Sequence, residues 1–429
     1  MNDSVTRARR PLFRSVIALT ASVLTLGSVG LSPARSQDLP AREPIPTHPP
    51  ESPADPDLPE PSRPAPGTPE LPRRRPGLIE ANPDGRLRAA LGPILIRSSV
   101  PAIAVCVFNQ DEVIATAQLG VRARGADASV QDGDLWHLGS CTKALTTTLL
   151  GSLVEAGKLR WDMTLKDALP EAAPTMHEKL TGVTLAQLVR HRAGLAAFTS
   201  GASPDFQMLK DLSGDPRAKR AAFAKALLAL EPVVPPGTKQ FYSNAGYAVA
   251  AAIAERAMDT SYEDLMAARV FTPLSIDGAG WGWPATPARP DQPRGHFPGL
   301  IGSTPQDLEP AYVFQVALAP AGDAHASIRG FAAFARAHLR GLRDHEGVLR
   351  AATIKALHEP EDGYAAGWVI NTATNPPRHW HNGSAGTFFA LMTVVPESNI
   401  GVVVATNSGE GARACEDATG TALSMFTGP

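Results

Sequence analysis

Prolines are concentrated in one stretch of this 429-residue chain, and that stretch limits where a folded core can lie. Between Pro40 and Pro76, 14 of 37 residues are proline. Proline lacks an amide donor and has a fixed φ, so it disfavours helix interiors and sheet ladders, and few apolar side chains are present to be buried. The sequence predicts an extended, passive linker over residues 37–77. A folded domain is therefore expected over 78–429.

The first 36 residues have the pattern of an export signal. Arginines before residue 15 precede an uncharged apolar run from Val16 to Leu31. This run is too short to cross a bilayer, and small residues at Ala34 and Ser36 indicate a cleavage site. A signal peptide over 1–36 is expected, which would place the protein in a bacterial periplasm or outside the cell. Arg9-Arg10 also fits the twin-arginine route, and an uncleaved anchor is the less favoured alternative.

Charge and cysteine content exclude several classes of protein. Forty Lys and Arg stand against 42 Asp and Glu, for a net charge of −2. Because basic residues are not in excess, nucleic acid is not expected as a partner. No stable membrane insertion is expected after signal cleavage. Three cysteines, Cys106, Cys141 and Cys415, cannot form a disulfide framework. Hydrophobic residues make up 43% of the chain, which is enough for a sizeable core.

Strand-like patterns occur at both ends of the 78–429 region, with helical patterns between them. Apolar runs bounded by turn residues predict strands over 102–108, 113–119, 366–371, 387–395 and 400–406. Leucines at four-residue spacing and capping signals predict helices over 79–96, 138–156, 245–258 and 262–270, a short helix after Thr184, one from Ser327 to about 340 and a last one from about Gly411.

This arrangement predicts a mixed α/β (α+β) fold. One sheet is built from both termini and is interrupted by a helical insert. We expect the α/β part at about 78–136 and 320–429, and the mainly helical part at about 137–319.

The first motif with chemical content is Ser140-Cys141-Thr142-Lys143, at the start of a long apolar helix. The i, i+3 spacing puts the hydroxyl of Ser140 and the amine of Lys143 on one helix face. Burial lowers the pKa of a lysine, so Lys143 is a candidate base for a serine nucleophile. Taken alone, the pattern also fits a helix-cap serine beside a surface lysine. Cys141 is expected to be a core residue rather than the nucleophile.

Two later segments carry further candidates. Tyr242-Ser243-Asn244 precedes a predicted helix, where the phenol is a candidate proton shuttle and the Asn244 amide a candidate ligand of substrate and lysine. His381-Asn382-Gly383-Ser384 enters an apolar strand, where Gly383 allows close approach and the Ser384 N–H, with that of Ser140, is a candidate oxyanion donor. Taken singly, each segment also fits a structural role in a turn or cap.

Other catalytic signatures are absent from the sequence. No G-x-S-x-G occurs, and neither H-E-x-x-H nor C-x-x-C is present to suggest zinc. No metal or organic cofactor is expected.

In combination and in this order, the three motifs resemble those of the serine β-lactamase and penicillin-binding protein superfamily, closest to its class C-like branch. Further segments agree, namely Leu188–Leu195, Pro236-Gly237-Thr238 and Pro320-Ala321-Gly322. The resemblance covers about residues 78–426. It implies a β-lactamase/transpeptidase-like fold, in which the sheet is antiparallel and flanked by helices. The catalytic residues that it implies are Ser140, Lys143, Tyr242, Asn244 and His381, and the implied substrate and oxyanion contacts are Gly383, Ser384 and the backbone of Ser140.

The sequence departs from the family pattern at three places, of which Ala193 is interpreted as a structural change. Ala193 replaces a serine, Ala385-Gly386 replaces Asn-Thr, and His381 replaces the lysine of class C β-lactamases. Imidazole holds a carboxylate less firmly than a permanent ammonium group. The resemblance therefore implies an exported serine hydrolase acting on small-molecule esters, amides or D-amino-acid peptides, with cell-wall material as a further partner. A class C-like β-lactamase or DD-carboxypeptidase is one alternative, and a catalytically silent envelope-binding module is another.

Overall fold

A computed structural model describes residues 83–199, 206–299, 302–308 and 316–427 of the chain. The predicted signal peptide over 1–36, the linker over 37–77 and the first residues of the predicted catalytic domain lie outside the described residues. No helix in the described ranges is long and apolar enough to span a membrane.

The described strands are grouped in one large sheet and two small ones. They are β1 Ala102–Phe108, β2 Val113–Gly120, β3 Leu135–His137, β4 Gly280–Trp281, β5 His296–Pro298, β6 Ser303–Pro305, β7 Ala324–Ser327, β8 Val369–Asn371, β9 Arg378–Ser384, β10 Phe389–Val395 and β11 Ile400–Thr406. The large sheet has the order β2-β1-β11-β10-β9-β8, and all its pairs are antiparallel. The small sheets are β3-β7-β4 and β5-β6.

The described helices lie mainly between β2 and β8. They are α1 Pro83–Ser98, α2 Thr142–Glu155, α3 Leu165–Ala168, α4 Leu185–Val189, α5 Gln207–Lys210, α6 Pro216–Leu228, α7 Asn244–Met258, α8 Tyr262–Met266, α9 Ala319–Gly322, α10 Ile328–Leu342, α11 Ala351–Leu357 and α12 Ala412–Phe426. The large sheet takes β1 and β2 from before α2 and β8–β11 from after α11. A mixed α/β fold with an antiparallel sheet built from both ends is thereby confirmed.

Both faces of the large sheet are covered by helices, which explains why its central strands read as continuous apolar runs. Ile103 and Val105 of β1 pack with Leu87 of α1 and Ala418 of α12 in one core cluster. The alternate residues of β1, including Cys106, belong to a second cluster with helices α2 and α10. Successive side chains of a strand point to opposite faces, so every residue of β1 is buried.

Several predicted boundaries differ from the structure. The described part of the first helix is Pro83–Ser98, and Pro93 lies within it on its exposed side, where water can satisfy the carbonyl left without a donor. The strand predicted over 366–371 begins only at Val369. Gly367 has a positive φ of +81°, and its Cα lies so close to α2 that a Cβ would come within 2.7 Å of the Ala144 backbone.

Helix α2 is positioned by burial rather than by amphipathic patterning. Most of its residues are buried, including the polar Thr146, Thr147 and Thr148. Their hydroxyls donate to helix carbonyls or to neighbouring segments, so the helix is held in the core through satisfied polar groups. Its N-terminus lies against β9, at the edge of the large sheet where the candidate site is found.

Candidate active site

A tight 3₁₀ turn, Gly139–Cys141, brings Ser140 to the start of α2. Gly139 has a φ of +50°, and a Cβ there would come within 2.4 Å of the Ser384 backbone nitrogen. The turn is therefore specified by a glycine that both tolerates left-handed backbone and allows contact with β9. Ser140 remains partly exposed, whereas its neighbours in the turn are buried.

The Ser140 hydroxyl lies between two polar groups. Its Oγ is 3.0 Å from Lys143 Nζ and 2.9 Å from the Tyr242 hydroxyl. These are hydrogen-bonding distances for a nucleophile and its base. The structure thus brings together the first two predicted motifs, which are about 100 residues apart in the sequence.

Lys143 is fully buried among neutral groups. Besides Ser140, Nζ lies 2.7 Å from both Asn244 Oδ1 and the Ala321 carbonyl oxygen. Desolvation lowers the pKa of Lys143 well below its usual range, because none of these three partners carries a negative charge. A neutral amine has two hydrogens and one lone pair. It can donate to Asn244 and Ala321 and still accept the proton of Ser140.

Tyr242 is held in the loop before α7, where the Ser243 side chain caps the helix by accepting from the Gly246 N–H. Burial raises the pKa of the Tyr242 phenol, and its hydrogen bond to Ser140 only partly offsets this effect. The phenol is therefore protonated at neutral pH and acts as a donor to Ser140 Oγ. This electrostatic arrangement favours Lys143 as the base and Tyr242 as the proton donor.

Asn244 is fixed at both ends of its amide. Its Oδ1 accepts from Lys143, and its Nδ2 donates to the Phe198 carbonyl oxygen at a distance of 2.8 Å. The backbone N–H of Asn244 also donates to the Ala197 carbonyl. The side chain that was predicted to position substrate is thus mainly engaged in holding Lys143 and the loop at 197–198.

His381 is buried, and both nitrogens of its ring lie near polar atoms of the protein. Its Nδ1 is 2.6 Å from the carbonyl oxygen of Asn382, and its Nε2 is 3.3 Å from the Tyr364 hydroxyl. Burial, with a smaller contribution from Lys143, lowers the pKa of His381 to about 3. The catalytic role of His381 stays a prediction, and its ring is uncharged and hydrogen-bonded within the protein.

Gly383 and Ser384 complete the site at the end of β9. A Cβ on Gly383 would come within 2.1 Å of the Leu138 carbonyl oxygen and 2.5 Å of the Ser140 nitrogen. The backbones of the first and third motifs are therefore in direct contact, as an oxyanion site built from the Ser140 and Ser384 amides requires. The Ser384 hydroxyl donates to the Phe388 carbonyl, which orients the loop that follows.

We expect Gly383→Ala to lower activity strongly, because a methyl group at this position must displace the Ser140 turn. A loss of about 10²-fold in kcat/KM is expected, the size of effect caused by misplacing a catalytic group by about 1 Å. Gly420→Ala is the matched control, since nothing lies within 4 Å of a Cβ there. Steady-state kinetics of both variants measure the difference, and equal activities would contradict the close contact.

His191 supports the site, although sequence reasoning assigned it no role. Its carbonyl oxygen accepts from the Phe241 N–H at 2.7 Å, and its Nδ1 accepts from the Ser243 N–H at 3.1 Å. The two residues that flank Tyr242 are thus both held by His191. The sequence signal was the segment Leu188–Leu195, but nothing in it indicated the left-handed φ of +59° that His191 adopts.

Within the described ranges, no group of three or more His, Cys, Asp or Glu side chains is arranged to hold a metal ion. The three cysteines in those ranges are buried and reduced, and burial raises the pKa of the Cys141 thiol. Cys141 Sγ lies 3.3 Å from the His381 carbonyl oxygen, away from the Ser140 hydroxyl and its partners. Its position fits a packing residue.

Comparison with known proteins adds independent observations. The sequence profile of the family described as Beta-lactamase matches residues 85–425. The chain is 29% identical to penicillin-binding protein 4 of Amycolatopsis lactamdurans over 326 residues. This alignment covers 72% of this chain and 81% of that protein. It is 23% identical to unguisins hydrolase ungD′ of Aspergillus campestris over 330 residues, an alignment that covers 73% of this chain and 60% of that protein.

Among solved structures, the octameric penicillin-binding protein homologue from Pyrococcus abyssi has a similar fold. It superposes with a TM-score of 0.65 at 21% identity, over 80% of this chain and 78% of that chain. At this level of identity the likeness is one of fold.

Proposed function

The chain belongs to the Beta-lactamase family, whose members are serine hydrolases, and from that premise we propose that it is an exported hydrolase that carries its substrate's acyl group on Ser140. The observation that supports this proposal most strongly is the position of the Ser140 hydroxyl. It lies within hydrogen-bonding distance of a buried lysine without a charged partner and of a protonated phenol.

In the proposed acylation step, Lys143 Nζ accepts the Ser140 proton while Oγ attacks the substrate carbonyl carbon. The backbone N–H groups of Ser140 and Ser384 stabilise the negative charge that develops on the carbonyl oxygen. The intermediate collapses to an acyl-enzyme as the bond to the leaving group breaks. The leaving group takes a proton from Tyr242, which regains one from the protonated Lys143.

In the proposed deacylation step, water attacks the acyl carbon and loses a proton to Lys143 or through Tyr242. The bond from the acyl carbon to Ser140 Oγ breaks, and Oγ takes the proton that the water lost, which restores the starting protonation of Lys143 and Tyr242. The Asn244 amide holds Lys143 in place throughout, since it accepts from Nζ at 2.7 Å. Lys143 and Tyr242 thus carry the protons between Ser140, the leaving group and the attacking water.

Labelling by a fluorophosphonate tests whether Ser140 is an activated nucleophile. We expect a covalent adduct on Ser140, identified by intact mass and peptide mapping. A protein that remains unlabelled by fluorophosphonate, penicillin and active esters would instead fit the silent envelope-binding module. The intact hydrogen bonds around Ser140 argue against that module.

For the substrate, we propose acyl compounds whose recognition does not depend on a carboxylate, namely short esters, amides or D-amino-acid peptides cleaved away from their C-terminal carboxylate. The side chain at position 381 is uncharged and bonded within the protein, so it supplies no cation for a substrate carboxylate. The similarity to a penicillin-binding protein supports the alternative, a class C-like β-lactamase or DD-carboxypeptidase acting on β-lactams or peptidoglycan. Small acyl compounds and cell-wall material are thus the proposed partners, and the predicted signal over 1–36 supports a periplasmic or secreted location.

We expect p-nitrophenyl acetate or butyrate to be hydrolysed with a higher kcat/KM than benzylpenicillin. His381→Lys should shift the ratio of the two kcat/KM values toward the β-lactam by about 1–2 kcal/mol, roughly 5- to 30-fold, through one charge-assisted hydrogen bond to its carboxylate. The kcat/KM values of both substrates on wild type and variant measure this shift.

Asn382→Lys is the matched control for added charge. It places the same ammonium group on the adjacent exposed residue, whose side chain points to the other face of β9. Wild-type turnover of penicillin or nitrocefin well above that of esters would instead support the β-lactamase alternative.

A further inference from the structure

Gly139 precedes Ser140, and its backbone is left-handed, with a φ of +50°. Glycine adopts this conformation without steric cost, so the conformation alone does not hold the turn in place. Hydrogen bonds to two neighbouring side chains hold it.

Both polar atoms of Gly139 are bonded to side chains. Its N–H donates to His137 Nδ1 at 3.2 Å, and its carbonyl oxygen accepts from the Thr142 hydroxyl at 2.7 Å. Thr142 Oγ1 in turn accepts from the Ala324 N–H at 3.1 Å. The turn is thus hydrogen-bonded to β3, which contains His137, and to β7, which contains Ala324.

His137 can accept from Gly139 only in one tautomer. Its Nδ1 must be unprotonated, so the proton of the neutral ring is on Nε2, which lies 3.3 Å from Asp323 Oδ1. Both side chains are buried, at 1% and 5% exposure, and burial lowers the pKa of His137 to about 3. The ring is therefore neutral, and the carboxyl oxygen of Asp323 is available as its acceptor.

Asp323 also connects this bond to the lysine. It follows α9, Ala319–Gly322, in which the Ala321 carbonyl accepts from Lys143 Nζ. The Asp323 N–H donates to the Ala319 carbonyl at 3.1 Å, which fixes the end of that short helix. One pair of side chains therefore joins the turn that presents the nucleophile to the segment that holds its base.

We propose that His137 and Asp323 are positioning residues: Asp323 holds His137 in its Nε2–H tautomer, and His137 thereby fixes the Gly139 turn that directs Ser140 Oγ at Lys143. This inference rests on the proposed function of Ser140. It assigns a role to two residues outside the three motifs, and it resembles the way in which an outer carboxylate orients a histidine in metal and catalytic sites.

Paired substitutions separate this role from simple packing. His137→Asn keeps an acceptor near the position of Nδ1, whereas His137→Phe removes it. Asp323→Asn keeps an acceptor oxygen for Nε2–H, whereas Asp323→Leu does not. For the Phe and Leu variants we expect fluorophosphonate labelling of Ser140 to slow by about 10- to 100-fold. In the Asn variants, the labelling rate should remain within about 3-fold of the wild-type rate.

A structural control accounts for loss of stability. His338 is equally buried but bonds to Thr148 and His358, so His338→Phe lowers stability without touching Gly139. If the two variants lose similar amounts of Tm, fluorophosphonate should label Ser140 more slowly in His137→Phe than in His338→Phe. Equal labelling rates, or Asn variants as slow as the Phe and Leu variants, would overturn the proposal.

Nitrogen-15 NMR of the histidine-labelled full chain gives a readout that does not depend on activity. In the wild type, the His137 signal should show protonated Nε2 and unprotonated Nδ1, and Asp323→Leu should introduce the other tautomer. A wild-type ring protonated at Nδ1 would refute the positioning role. If Ser140 is never labelled but the tautomer is as expected, the proposed hydrolase function fails while the hydrogen-bonded pair stands.

Discussion

Replacing Ser140 by alanine is expected to lower turnover by roughly 10⁴- to 10⁶-fold, as loss of a catalytic-triad member does in other serine hydrolases. The reason is that the Ser140 hydroxyl is the group that lies 3.0 Å from Lys143 Nζ and 2.9 Å from the Tyr242 hydroxyl. The fold should persist, since the change removes one small, partly exposed group. Steady-state kinetics with p-nitrophenyl butyrate measure the loss, and circular dichroism checks the fold.

Cys141→Ala is the control for this experiment, because it removes the neighbouring thiol but leaves the Ser140 contacts unchanged. Intact-mass spectrometry with a slow substrate should show an acyl adduct on the wild type and on Cys141→Ala, and none on Ser140→Ala. An adduct that maps to Cys141, or an alanine variant that remains active, would show that the nucleophile is assigned to the wrong residue.

Lys143→Arg is expected to be nearly inactive, with a loss of about 10⁴-fold, comparable to disabling the base of a catalytic triad. Guanidinium remains protonated in proteins and cannot accept the Ser140 proton. It is also larger than the amine that fits between Ser140, Asn244 and the Ala321 carbonyl. Lys158→Arg, at an exposed position, is the matched control and should retain wild-type kcat/KM.

The pH dependence of the rate provides a second test of the base. Burial lowers the pKa of Lys143 below its usual range. Acylation requires the neutral amine, so kcat/KM should rise with pH as the ammonium group loses its proton and should fall below that pKa. A pH profile without this rising limb, or an arginine variant with substantial activity, would exclude Lys143 as the base.

The parts of the fold that sequence analysis predicted well are determined by local pattern. β11 begins and ends at the predicted residues, because its continuous apolar run is bounded by turn residues on both sides. The short strands β3, β4 and β7 were not predicted. They contain two to four residues and become strands only by pairing with one another, a tertiary effect that has no local period.

In the active site too, the contacts set by local pattern were predictable and the contacts set by tertiary structure were not. The contact between Ser140 and Lys143 follows from helical spacing, whereas the approach of Tyr242 was implied by family resemblance, since residues about 100 positions apart give no local signal. The orientation of His381 was not predictable, because it depends on Tyr364 as a hydrogen-bonding partner. The same holds for His137, which within an apolar segment looks like any core histidine.

The order of strands in the large sheet has a consequence for synthesis. β1 and β11 are neighbours at its centre, and Ile103 pairs with Thr406, about 300 residues later. At a translation rate of roughly 5–20 residues per second, β1 leaves the ribosome about 15–60 s before its partner exists. A nascent chain cut short before Ile400 therefore lacks the strand that joins the β1–β2 hairpin to β10, β9 and β8, so a late premature stop removes the middle of the sheet.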